Sequence, residues 1–401
     1  MDKKKIIPWA LYDFANSSYT TIVITTIFSI YFVRNIASNF ENPTFIWTLI
    51  ISSSYLFVCL ISPFIGRLSD TVIQKKKLLF LVTFFCSSCT ALLFFSKESF
   101  FVALFFLFFS NIFYSIGENI NSSFLSQIST TSKVGKVSGV GWGIGYFGGI
   151  CSLIIALLII RVTESNSSIS HLSIPIVMIF TGIFYFVFSL PIFIFFKEAF
   201  DFDSSSKKLS VIEIIINLKK YRDIFMFIFL LQSAVNSFVV LSSIYSSFVM
   251  GFNLNEIILL IILVNFFSAF GAFYFGRLMD TFGAFNTFRL LIVFWMIVTT
   301  LILLNNSKII FWILGCLVGL LIGGVFSNIR ALIVKISHEK ISGEFYGYWG
   351  LLTKLASIFG PLLYGVANYL SDGNHKISLL VIAFFFPLGL IFLIKSKTKI
   401  A

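Results

Sequence analysis

Gly66-Arg67-Leu68-Ser69-Asp70-Thr71 recurs as Gly276-Arg277-Leu278-Met279-Asp280-Thr281, 210 residues further along the chain. Each copy follows an apolar run of about twenty residues, the length an α-helix needs to cross the hydrocarbon core of a bilayer. Outward from these two copies the pattern repeats: apolar runs bounded by charge, Pro, Gly or Asn number twelve, from 7–33 to 377–394, with 223–249 opening the second half and 309–332 its fourth run. A stretch rich in serine and charge separates the halves. The reading is an all-α polytopic membrane protein with twelve transmembrane helices in two pseudo-symmetric six-helix bundles, 1–196 and 223–401, joined by a linker over 197–222. Parallel repeats of this kind hold a solute site near the membrane midplane, between the halves.

Composition narrows the function classes. Of 401 residues, 58% are apolar and 11% charged, and mean hydropathy is +0.98. Disorder is excluded, and a soluble surface would need far more polar side chains. What lies outside the spans suffices only for short loops and tails, which argues against an enzyme. The net charge of +12 would suggest nucleic acid in a soluble protein, but here its distribution decides. With Arg330 counted in the loop after span 10, 23 of the 29 lysines and arginines fall on the side of the two termini, five fall on the other, and Lys354 alone remains inside a span. Basic residues near span ends stay cytoplasmic, so both termini are expected there. Asp13, Asn16 and Ser17 interrupt the first run, which reads as an uncleaved span rather than a signal peptide. Nothing demands more than a monomer.

Polar groups inside the spans point to the chemistry, because a charge at the bilayer centre must face protein or a water-filled cavity. Asp13 and Asn16 share a face of span 1. Asn111, Ser115, Glu118 and Ser122 form a stripe on span 4, with Asn121 beside it; span 7 offers Gln232 and Asn236, and span 10 Asn328. Lys354 in span 11 either snorkels to the nearer interface or faces the cavity, where Asp13 and Glu118 lack any other counter-charge. An amino-acid zwitterion would suit such a site, its carboxylate near Lys354 and its ammonium near Glu118 or Asp13. A carboxylate held out of water is also a candidate carrier of a coupling proton, although Asp13 could equally be structural. In the repeated motif, Gly66 and Gly276 allow close backbone approach, Arg67 and Arg277 hold a turn at the membrane face, and Asp70 and Asp280 can cap a helix start: a gate. Three other patterns carry nothing. Gly143-Ile144-Gly145-Tyr146-Phe147-Gly148 lacks the preceding strand of a dinucleotide fold, Cys86-Ser87-Ser88-Cys89 sits mid-span, and His171, His338 and His375 show no metal-ligand spacing. No cofactor, metal or nucleic-acid partner is expected.

The two copies of the loop motif resemble the major facilitator superfamily. Trp9-Ala10-Leu11-Tyr12-Asp13-Phe14-Ala15-Asn16-Ser17 narrows this, being similar to the opening motif of the vacuolar amino-acid effluxers of autophagy and their bacterial relatives. Phe113-Tyr114, Asn121 to Leu125, Gly145 to Gly149, and Glu344-Phe345-Tyr346-Gly347 leading to Lys354 and Gly360-Pro361 are similar to further signatures of that group; Ser126 and Thr353 depart from it, standing where it carries Pro and Gly. The resemblance implies that spans 1, 4, 7 and 10 line a central cavity. It also implies a secondary transporter of the bacterial inner membrane that exports or facilitates amino acids or similar small polar solutes by alternating access. A lipid-handling scramblase or flippase, or a non-transporting receptor, is the alternative.

Overall fold

The computed structural model describes residues 3–41, 43–71, 74–97, 99–165, 170–196, 219, 221–337 and 342–396. The proposed linker lies outside them except for 219, 221 and 222, as does His338; so do the side chains of Arg67, Asp70 and Glu344. Among the described residues, twelve helices are long and apolar enough to cross a membrane. They are α1 (Lys4–Ile36), α2 (Pro43–Thr71), α3 (Lys75–Lys97), α4 (Phe100–Ile128), α5 (Val134–Glu164) and α6 (Ser173–Phe195). The second half holds α7 (Arg222–Phe248), α8 (Leu254–Phe282), α9 (Ala284–Leu304), α10 (Lys308–Ile336), α11 (Ser342–Leu370) and α12 (His375–Lys395).

Local chemistry explains several boundaries. Asn253 and Glu256 form a reciprocal capping box that starts α8. Gly283, at φ 83°, turns the chain from α8 into α9, a conformation that would strain any residue with a Cβ. The repeated motif does not form the turn expected from the sequence. Both copies continue the helix, as the last turns of α2 and α8, since neither contains a helix breaker after its first Gly. Within α1, two π-helical stretches, Thr20–Thr25 and Phe32–Ile36, replace regular α-helix. Hydroxyls of Ser17 and Thr25 donate back to carbonyls one turn earlier, which loosens the backbone ladder of that span.

Each half packs its own six helices together, and α5 against α8 and α2 against α11 join the halves. Both joints need glycine. A Cβ on Gly139 would collide with the Ala272 carbonyl, and one on Gly347 with the Ser62 carbonyl. Ala272 and Ser62 are 210 residues apart, the same offset as the repeated motif, so the two crossings are equivalent under the internal repeat. Small residues let backbones approach closely where hydrophobicity drives nothing, because lipid is as apolar as the helices.

Candidate functional site

Glu118 on α4 and Lys354 on α11 meet across the halves, Nζ to Oε2 at 3.2 Å. Lys354 lies twelve residues into its helix, about 18 Å from that end at the rise of an α-helix, too deep for its ammonium to reach the headgroups. Its ammonium sits over the rings of Tyr55 and Tyr114, 5.0 and 5.7 Å from their centroids. The lysine is buried, while the Glu118 side chain keeps 18% of its surface accessible. One contact and a partly open carboxylate make a pair that another ionic group can enter.

A second ion pair crosses the same interface nearer the end that bears the termini. The Arg330 Nη1 donates to Asp13 Oδ2 at 2.7 Å. Arg330 was counted from sequence as a loop charge; it lies inside α10, six residues before the helix ends, and is 2% exposed. Its charge thus sits in protein rather than in a loop, Lys354 is not the only buried cation, and Asp13 has a counter-charge of its own. Arg330 Nε donates to Ser138 Oγ at 3.2 Å and Nη2 to the Ser138 carbonyl at 3.0 Å. The guanidinium lies 4.6 Å from the Trp9 ring and 5.4 Å from Trp142, within range of cation–π attraction. Asn121 Nδ2 completes Asp13 by donating to Oδ1 at 2.8 Å, and the Trp9 indole donates to the Asn121 carbonyl at 2.8 Å. Gly141 makes the assembly possible: a Cβ there would come within 2.7 Å of Arg330, Asp13 and Trp9 alike.

The remaining candidates divide. Asn111 donates to Ser54 on α2 at 2.6 Å. Gln232 accepts from Thr353 at 2.9 Å, and Asn236 donates to Ser357 at 2.9 Å, so both join α7 to α11 within the second half. Asn16 and Asn328 are buried, and among the described residues neither Asn16 Oδ1 nor either amide atom of Asn328 has a hydrogen-bond partner. Of the motif residues, Asp280 accepts from the backbone N–H groups of Gly135 and Lys136 at 2.8 and 2.7 Å, capping the first turn of α5 from the opposite half. Gly276 packs on Gly135, whereas Gly66 lies in α2 near the other crossing. Arg277 ends α8 facing outward beside Tyr274 and Thr281. The sequence reading gives Ser138, Trp142 and Tyr55 no role, and it includes Trp9 and Tyr114 only as members of the resembling motifs. Serines and aromatics on apolar helices carry no distinguishing signal, but Arg330 lay within an apolar run and could have been read as an intramembrane charge.

Two six-helix halves meeting through glycine crossings, with ion pairs across the interface, define a polytopic membrane transporter. The chain belongs to the major facilitator superfamily, whose family model matches residues 14–361 and 253–399. It is 25% identical over 403 residues to the uncharacterized MFS-type transporter YxiO of Bacillus subtilis, covering 96% of this chain and 93% of that protein. It is 22% identical over 292 residues to autophagy-related protein 22-1 of Penicillium rubens, covering 65% of this chain and 49% of that protein, in keeping with the expected kinship to the autophagy effluxers. Its fold is similar to that of the human organic anion transporter MFSD10, with a TM-score of 0.77 at 14% identity over 98% of this chain and 99% of the other. The E. coli fucose:proton symporter FucP follows, with a TM-score of 0.73 at 16% identity over 98% and 97%.

Proposed function

We propose that this protein is a secondary active transporter that moves amino acids across the bacterial inner membrane by alternating access, as a monomer with both termini in the cytoplasm. The observation that carries the reading is the Glu118–Lys354 pair, which places one anion and one cation from opposite halves 3.2 Å apart in the interior. A zwitterion is the small solute that can enter between them and leave both charges partnered. Its ammonium goes to Glu118 and the Tyr55 and Tyr114 rings, and its carboxylate to Lys354. A neutral sugar would leave the pair intact, and a net ion would leave one buried charge uncompensated. Glu118, still partly accessible, is the carboxylate suited to carry a coupling proton.

Flux of labelled amino acids into proteoliposomes tests the reading. Saturable uptake by the wild type is expected, with at least a tenfold loss in Glu118→Gln and in Lys354→Met, and a wild-type rate that responds to an imposed pH gradient. Sugar or nucleoside flux in place of amino acids would overturn the substrate class. Lipid scrambling without solute flux would favour the lipid-handling reading, and a rate blind to the gradient would remove the proton.

A further inference from the structure

The two ion pairs share an asymmetry. Both cations, Arg330 and Lys354, come from the second half, and the groups that receive them come from the first. For Arg330 the receptor is built from three helices of that half: Trp9 and Asp13 on α1, Asn121 on α4, and Ser138 and Trp142 on α5. It presents a carboxylate oxygen at 2.7 Å, a backbone carbonyl at 3.0 Å, a hydroxyl at 3.2 Å and two indole faces. Every one of these groups suits a cation that donates hydrogen bonds, and Gly141 keeps the space clear for it.

When the halves part at the terminus-bearing end, Arg330 leaves with α10 while the receptor stays behind as one unit. We propose that this vacated pocket is a binding site for a cationic solute group, a guanidinium or primary ammonium, and that Arg330 occupies it as an intramolecular stand-in while that end is closed. The site opens only toward the terminus-bearing side and is separate from Glu118. It rests on the alternating-access reading but not on the choice of amino acids as substrate. A cationic group arriving there stabilises the open arrangement by occupying the place that Arg330 must regain for closure. Because Arg330 competes, the wild type binds such a group more weakly than a variant lacking that side chain.

The test uses the purified full-length protein and its thermal melting. In Arg330→Ala, millimolar methylguanidinium is expected to raise the melting temperature saturably, methylurea, its neutral isostere, is expected not to, and the additional Asp13→Asn substitution is expected to abolish the shift. Equal shifts with both probes, or a shift that survives Asp13→Asn, would overturn the proposal. Where Arg330→Ala does not fold, the wild type is compared with arginine and with citrulline, which differ in the guanidinium alone. Arginine is expected to shift melting at a concentration at least fivefold lower, a preference lost in Asp13→Asn. Equal responses would remove the pocket and leave the amino-acid reading standing. A methylguanidinium response in a protein that transports no amino acid would do the reverse.

Discussion

Arg330 shows how far single residues can be read. Counting basic residues per loop places it at the membrane face, because that count treats a charge at the end of an apolar run as belonging outside it. The fold instead extends α10 to Ile336 and turns the guanidinium inward. Lys354 was legible because it stands alone in mid-span, whereas its partner was one of two candidate carboxylates. The choice between Glu118 and Asp13 depends on which helices face each other, which sequence spacing along one helix does not encode. The energetics are those of a buried pair: removing one partner leaves an uncompensated charge and costs about 3–5 kcal/mol, while removing both costs far less. Asp13→Asn and Arg330→Gln are therefore each expected to destabilise the protein more than the double variant does, read from denaturant unfolding in detergent. Strictly additive losses would show that the two side chains do not depend on one another.

Helices were legible in number and less so in detail. The second half was expected to open with a span over 223–249 and has α7 at Arg222–Phe248, because Arg222 and Asp223 mark its start and Gly251 and Asn253 its end. The π-helical stretches of α1 left no trace in hydropathy, because apolar periodicity does not distinguish them from regular helix; at the first, hydroxyls of Ser17 and Thr25 compete for backbone carbonyls. The repeated motif was recognised as two copies but not as helix. In the second copy the Asp280 carboxylate caps the start of α5 in the opposite half. Loss of a helix-start cap costs roughly 1 kcal/mol. In Asp280→Ala the first-turn amides of α5 are accordingly expected to exchange with deuterium several-fold faster than in the wild type, while those in the middle of α5 keep their rate. Unchanged exchange at Gly135 and Lys136 would mean that the contact contributes nothing to the joint.

Across the whole molecule, the named contacts between halves occupy the part nearer the termini, the deepest being Lys354 over Tyr55 and Phe147 against Phe266, whose centroids are 6.3 Å apart. Such an arrangement is closed at that end, and a solute can cross only if the glycine joints separate. The duplication that fixes the two crossings was visible in sequence as a 210-residue offset, but the side chains that meet across the halves were not, because they come from helices distant in the chain. The most direct measurement is a reversible lock: Lys136→Cys with Asp280→Cys, two positions in contact across the α5–α8 joint, in a background lacking the five native cysteines, oxidised and assayed for solute flux in proteoliposomes. Flux that stops on oxidation and returns on reduction is the predicted result. Undiminished flux through the fully cross-linked protein would contradict alternating access between these two halves.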